Sequence, residues 1–286
     1  MVLPVGLIKI AVVYSATRKT DKALSRVDRI VESSNSEIIL LTNIKKLNSE
    51  TFKKASKADL ILVLGGDGTM IGSMRALHSL NVPFLGINSG TVGFLTDLSL
   101  DKIEKLKDII RGSYIKETRP IFEAYSNKKN KEIFLNEVVI HSGSVTKMVD
   151  LELSLKNQVI YNLKADGLII SSSTGSTAYS YSGGGPIISP KLDAISLLPM
   201  FSHSSSSHSL LLPDKDEVTV KIKNKNLSSI QIFVDGKKNL KYTASGLVIS
   251  NSKKTFKLYH PKDYNYFDAC RTKLGWSLPI EELNNN

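Results

Sequence analysis

Asp59-Leu-Ile-Leu-Val-Leu64 runs straight into Gly65-Gly66-Asp67-Gly68-Thr69, and helix-like spacing begins near Met70. A short unbroken apolar run, closed by glycines and followed by a helix, reads as one strand of a parallel sheet covered on both faces. Glycines at the carboxyl end of such a strand let the backbone turn sharply and approach a ligand. The helix that follows offers free N–H groups and the positive end of its dipole to an anion. Asp67 then projects into the crevice where open α/β sheets bind ligands. The alternative is a tight strand-to-helix turn with Asp67 as the helix cap.

The neighbouring segments repeat the alternation. Ile8 to Tyr14, Glu37 to Leu41 and Val82 to Ile87 read as further strands. Ala23, Leu24, Val27, Ile30 and Val31 share one helical face, and Met70 to Leu80 and Asp101 to Ile110 have helical spacing. Strands alternating with helices argue for a parallel sheet with helices on both faces. After the fourth strand, Asn88-Ser-Gly90-Thr-Val-Gly93 repeats the small-residue loop at the same end of the sheet. Two such loops side by side favour a crevice. There is no GxxxxGK[ST], and Gly66-Asp67-Gly68 lacks the third glycine of GxGxxG, so neither a P-loop nor an ordinary dinucleotide fingerprint is present.

Beyond about Arg111 the pattern becomes all-β. Short strands are expected at Tyr114 to Tyr125, Glu132 to His141, Met148 to Leu155, Val159 to Leu163, Leu168 to Ser171, Val218 to Ile222, Ile230 to Val234, Leu247 to Ser250 and Thr255 to Tyr259. Turn-prone pieces separate them, among them Asn127-Lys-Lys-Asn130, Lys156-Asn157 and Asp235-Gly236. Ser202 to Ser209 reads as an ordered loop, Pro261 to Pro279 as a compact aromatic segment and Asn284 to Asn286 as a frayed tail.

Composition bounds the function. At 286 residues the chain suggests two domains of about 150 residues. Its 38 Lys and Arg against 27 Asp and Glu give a net charge of +11, but the lysines are dispersed and no nucleic-acid motif accompanies them. A polyanionic small substrate suits the same field. No apolar run approaches the ~20 residues of a membrane span, and the apolar N-terminus reads as a first strand, not a leader. A single cysteine, Cys270, leaves no intrachain disulfide and no Cys-rich zinc site, so a cytoplasmic protein is expected. The five histidines read as packing or surface residues.

The second half carries the most informative stretch, Ala165-Asp166-Gly-Leu-Ile-Ile-Ser-Ser-Ser-Thr174-Gly175-Ser176-Thr177-Ala178-Tyr179-Ser180-Tyr181-Ser182-Gly183-Gly184-Gly185. Here a strand ends in hydroxyls and glycines, and a short helix can start at Ser176 or Thr177. Hydroxyls, an aspartate and an aromatic ring suit a ligand with ribose hydroxyls and a ring to pack. The bland reading is a capped turn with a buried tyrosine. Upstream, Asn136-Glu137 interrupts an apolar strand; consecutive residues face opposite sides, so at least one is buried and needs a partner. A cross-strand salt bridge would supply one.

Taken in order, GGDGT at 65 to 69, LNEVVIHSG at 135 to 143, ADGLIISSSTGSTAYSYSGGGPI at 165 to 187, PMFSH at 199 to 203 and HPKDYNYFDACRTKLGW at 260 to 276 resemble a bacterial NAD kinase over nearly the whole chain. GGDGT alone is shared with lipid kinases and phosphofructokinases, and the later motifs make the resemblance specific. The resemblance implies an α/β N-terminal domain with a parallel sheet, residues 1–111 joined by the C-terminal segment 262–286, and a β-rich, sandwich-like domain, 112–261, with the site between them. It implies transfer of the γ-phosphoryl group of ATP, another triphosphate or polyphosphate to the adenosine ribose 2′-hydroxyl of NAD, giving NADP. Asp67 is then the base; Gly65, Gly66, Gly68 and Thr69 lie near phosphates; Asn136 and Glu137 hold the adenosine or ribose. Asp166 falls on the nicotinamide side, with Lys164 beside it at a position that varies among relatives, and Thr177, Ala178, Tyr179 and Ser182 line the dinucleotide site. Mg²⁺, or another divalent cation, is expected with the nucleotide phosphates, and a homodimer or homotetramer as the assembly. Where relatives often read PHTLSARPL, this chain has Ser202-His203-Ser-Ser-Ser-Ser207-His208-Ser209-Leu210, losing an arginine and its five-donor fork. A lipid kinase would need an apolar membrane face, and a dinucleotide sensor would bind NADP without turnover.

Overall fold

The computed structural model describes residues 6–88, 90, 93–144, 147–204, 207–223, 229–238, 240–243 and 246–276. The expected frayed tail, Asn284 to Asn286, lies outside the described residues, as do Ser89, Thr91 and Val92 of the second small-residue loop and Ser205 and Ser206 of the serine-rich loop. The chain divides into two compact units, 1–119 with 255–286, and 120–254.

The first unit begins β1 (Ile8–Tyr14), α1 (Arg18–Glu32), β2 (Ser36–Asn43), α2 (Ser49–Ala55), β3 (Leu60–Leu64), α3 (Asp67–Leu77), β4 (Phe84–Asn88), β5 (Leu98–Ser99) and α4 (Lys105–Ile110). The strands are parallel in the order β2, β1, β3, β4, β5. The chain therefore leaves β1 to one side for β2 and returns to its other side for β3, which puts the switch point of the sheet beside the carboxyl ends of β1 and β3. Every residue of β3 is buried, as a strand covered on both faces requires. Ala23, Val27, Ile30 and Val31 of α1 join Leu60, Leu62 and Leu64 in one core. Truncating such a leucine to alanine costs about 2–5 kcal/mol. Helix α2 was not expected: Ala55 is its one buried residue, so it has no apolar stripe, and its signal is Asn48, whose side chain accepts from the amides of Glu50 and Thr51.

The second unit is strand-rich and its pairings are antiparallel. Strand β6 (Ile115–Tyr125) enters it from the first unit. There follow β7 (Glu132–Phe134), β8 (Glu137–His141), β9 (Val149–Leu155), β10 (Gln158–Ser172), α5 (Tyr179–Ser182), β11 (Ala194–Ser202), β12 (Leu210–Pro213), β13 (Val218–Ile222), β14 (Gln231–Val234), β15 (Lys237–Lys238) and β16 (Leu247–His260). Both two-residue turns read from the sequence form: Lys156 and Asn157 join β9 to β10, Asp235 and Gly236 join β14 to β15, and all four have positive φ, the conformation that matches strand twist. Two pairs of expected strands are each one long strand. In β10, residues 158–165 pair with β9 and residues 167–171 with β8, so a change of partner replaces the expected break at Lys164 to Gly167. Strand β16 likewise runs unbroken through Asn251 to Lys254 back to the first unit, where Leu258 pairs with Phe84. Helix α6 (Tyr266–Leu274), capped by the side chain of Asn265, follows it.

Candidate active site

Helix α3 starts at Asp67, three residues before the expected start, because Gly66 takes the cap position. Asp67 is thus the first helical residue, and its carboxylate reaches across to the loop after β4. Oδ2 accepts from the Phe94 amide at 2.7 Å, while Oδ1 accepts from the amides of Leu95 at 3.0 Å and Thr96 at 3.2 Å and from the Thr96 hydroxyl at 3.0 Å. The Thr96 hydroxyl is set in turn by Asn88, whose amide nitrogen donates to it at 2.9 Å. Gly93 is needed for this approach, since a Cβ there would sit 1.9 Å from Asp67 Oδ1. With about two acceptor positions per oxygen, Oδ1 is fully used and, among the described residues, Oδ2 keeps one position open.

The glycines beside Asp67 divide by what they meet. A Cβ on Gly65 would lie 2.6 Å from the Thr69 hydroxyl, so packing explains it, whereas one on Gly66 or Gly68 would meet nothing. Those two residues are exposed at the start of α3, and Thr69 is half-buried.

Behind this loop lies a buried ionic network that the sequence reading missed. The fully buried His260 faces Asp97 Oδ2 through Nδ1 and Glu117 Oε2 through Nε2, both at 3.1 Å, and stacks on the Tyr264 ring. Arg119, also buried, donates to the same Glu117 oxygen at 2.9 and 3.0 Å. Burial alone would depress the imidazole pKa, but the hydrogen bonds to Asp97 and Glu117 outweigh it and hold it above the ordinary value. Burial would likewise raise Glu117, yet His260 and Arg119 hold it below the usual carboxylate range. Its signal in the sequence was the histidine opening His260-Pro-Lys-Asp263. A cavity of about 410 Å³ in the first unit is lined by Asp97, Ser99, Lys102, Tyr264, Asp268 and Lys273, among others, and Asp67 is not among its walls.

In the second unit, Asn136 lies between β7 and β8 and Glu137 opens β8. One carboxylate pins them: Asp235 accepts from the amides of Leu135, Asn136 and Glu137. The Asn136 carbonyl accepts from the Ser172 amide at 2.9 Å, and Gly175 packs so closely that a Cβ there would lie 2.2 Å from that carbonyl oxygen. The buried member of the pair is Glu137. No cation faces it among the described residues, so the cross-strand salt bridge does not form, and Oε2 is buried without a hydrogen-bond partner. Burial, with the Asp235 charge adding to it, pushes its pKa up to about 7.

The hydroxyl-rich stretch after β10 divides in the same way. Ser172 donates to the Leu135 carbonyl and accepts from the Gly175 amide, and Ser176 donates to Ser173 and accepts from Ile188, so these buried hydroxyls hold the loop itself. Thr177 and Ala178 are half-buried, and Tyr179 and Ser182 are exposed, so the tyrosine is not the buried residue of a capped turn. Ser171 stands opposite Glu137, which brings Asn136, Glu137 and this loop together. Lys164 and Asp166 are not part of that cluster: Asp166 lies five residues before Ser171 on β10, about 17 Å along the strand. Among the described residues, no group of three or more His, Cys, Asp and Glu side chains is placed to hold a metal ion, and no helix is long and apolar enough to cross a membrane.

Comparison with known proteins finds matches in both halves of the chain. Residues 12–114 match the ATP-NAD kinase N-terminal domain and residues 135–261 the ATP-NAD kinase C-terminal domain. The chain is 41% identical over 229 residues to the NAD kinase of Marinobacter nauticus, covering 78% of each chain. It is 40% identical over 258 residues to that of Pseudomonas entomophila, covering 86% of this chain and 85% of the relative. Its fold is similar to that of an NAD kinase from Archaeoglobus fulgidus solved with ATP, at TM-score 0.75 and 23% identity over 94% of this chain and 98% of that one. It is also similar to yeast NADH kinase solved with NADH, at TM-score 0.81 and 20% identity over 96% and 89%. With two family domains matched in order and about 40% identity over most of its length, the chain belongs to the NAD kinase family.

Proposed function

We propose that the protein transfers the γ-phosphoryl group of ATP to the 2′-hydroxyl of the adenosine ribose of NAD, giving NADP and ADP, with Asp67 as general base. The observation that carries this reading is the asymmetry of the Asp67 carboxylate: Oδ1 is saturated by three donors, while Oδ2 accepts one amide and keeps a position for a hydroxyl proton. As the ribose oxygen forms its bond to the γ-phosphorus, the bridging P–O bond to the β-phosphate breaks and the hydroxyl proton passes to Oδ2. Such transfer rests on positioning and charge compensation more than on covalent work by the protein. Gly66 and Gly68, which packing does not explain, keep the backbone at the α3 N-terminus clear for phosphates. Mg²⁺ enters with the triphosphate as part of the donor substrate, held through phosphate oxygens.

In the same reading Asn136 and Glu137 hold the adenosine ribose, a ligand hydroxyl donating to the unpartnered Glu137 Oε2. Thr177, Ala178, Tyr179 and Ser182 line the dinucleotide site, Gly65 and Thr69 shape the phosphate loop, and Lys164 and Asp166 serve the nicotinamide side. The domain limits 1–111 with 262–286, and 112–261, a cytoplasmic location and a homodimer or homotetramer belong to this reading through the family resemblance. The test is NADP formation from NAD by the purified chain, read by an NADP-specific dehydrogenase, with Mg-ATP, other triphosphates and polyphosphate as donors. NADP from ATP is expected; its absence with every donor would overturn the reading.

A further inference from the structure

We propose that Lys273 is a positioning residue for Asp67, acting through the ring of Phe94; the inference deepens the base reading and rests on it. Helix α6 places Tyr266 and Lys273 seven residues apart, on one helical face. Both meet Phe94: the Tyr266 ring centroid lies 6.2 Å from that of Phe94, and the Lys273 ammonium 4.5 Å from the same centroid. Among the described residues the Phe94 amide is the one donor to Asp67 Oδ2, the oxygen with a position left for substrate. A ring held from both ends of α6 fixes that amide, and with it the direction in which the open position of Oδ2 points.

The ammonium is costly where it stands. Lys273 Nζ is buried and has no hydrogen-bond partner among the described residues. Burial pulls its pKa below the usual lysine value, opposed by the charges of Asp67 and Asp97. A methionine of similar length would fill the same space without that penalty. Packing alone therefore gives no reason for a cation at this position, whereas a cation over a desolvated ring, its charge felt by the carboxylates of Asp67 and Asp97, gives one.

Kinetics and amide hydrogen exchange on the native chain, Lys273→Met and Lys273→Arg test the proposal. Lys273→Met is expected to keep or raise Tm, to lower kcat about thirtyfold, the worth of one desolvated cation–ring contact, and to leave KM for NAD and ATP within about twofold. Exchange at the amides of Phe94 to Thr96 quickens. Lys273→Arg, which keeps a cation over the ring, recovers most of kcat and of the protection. Unchanged kcat and exchange in Lys273→Met would overturn the proposal, as would an arginine variant as slow as the methionine one. Lys273→Gln replaces Lys273→Met should the latter not fold. If the native chain makes no NADP, the base reading fails, and exchange at Phe94 alone decides whether Lys273 positions the loop.

Discussion

Glu117 in the first unit and Glu137 in the second are both withdrawn from water, and the protein treats them in opposite ways. Glu117 shares one oxygen with His260 and Arg119, and its pKa is held down. Glu137 has a buried oxygen with no partner among the described residues, and its pKa is pushed up to about 7. A buried charge that the fold has paired serves the fold, while one left unpaired is a cost that only something outside the fold offsets. Asp67 stands between these cases, with one oxygen saturated and the other half-used. The contrast separates Glu117 from Glu137 without reference to any motif; Asp97 is mixed, with Oδ2 on His260 and Oδ1 buried without a partner among the described residues.

The largest effect should come from breaking the paired region. Arg119→Met leaves Glu117 buried with His260 alone, and stability should fall by about 3–5 kcal/mol, read by urea denaturation; a loss within the error of that measurement would show that the network is not structural. In the unpaired region the sign reverses. Glu137→Gln removes a buried carboxylate with no counter-charge, and at pH 8 the variant should be more stable than the native chain by roughly 3 kcal/mol, with weaker NAD binding. The sign follows from the raised pKa: Glu137 contributes fully below about pH 4.5, and the contribution is lost as pH rises through about 7. A difference between variant and native that stays constant from pH 4 to 8 would contradict the assignment.

The paired network has its own window, defined by two opposite shifts. Glu117, with a lowered pKa, contributes stability present above its unfolded value and lost as pH falls through the folded one. His260, with a raised pKa, contributes stability present below about 6.5 and lost as pH rises through its folded value. His260→Asn should flatten the alkaline side of the stability profile and leave its neutral-to-acid shape to Glu117; an unaltered alkaline limb would break the comparison. The smallest effect is at Gly68, whose Cβ would meet nothing. Gly68→Ala should raise stability by up to about 1 kcal/mol, the helix-propensity difference, while lowering activity; a stable variant with native kcat and KM would remove Gly68 from the phosphate site.

What the sequence made legible follows from how local each signal is. The α/β and strand-rich halves were readable because β3 is an unbroken apolar run, β1 and β4 are short and mostly apolar, and Lys156-Asn157 and Asp235-Gly236 are turn pairs. Strand β11 escaped because Pro199 sits inside it, and Pro is uncommon away from sheet edges and bulges. Asp67 was found from its glycines, but its helix was started late, since the first apolar residue, Met70, follows the true cap by four positions. The donors that fix its carboxylate lie 27 to 29 residues away, and Asp235, read only as a turn residue, holds amides about 100 residues upstream. No local pattern encodes either contact. His260 was read as packing, and the two carboxylates that flank it come from separate segments.

The most direct test of Asp67 as the base is steady-state NADP formation by Asp67→Asn beside the native chain. Asparagine keeps the shape and an oxygen for the loop amides but takes no proton at neutral pH. The account predicts a kcat lower by ~10²–10⁴, with KM for NAD and ATP changed by no more than a few-fold. A kcat within about tenfold of native, or a loss confined to KM, would contradict it.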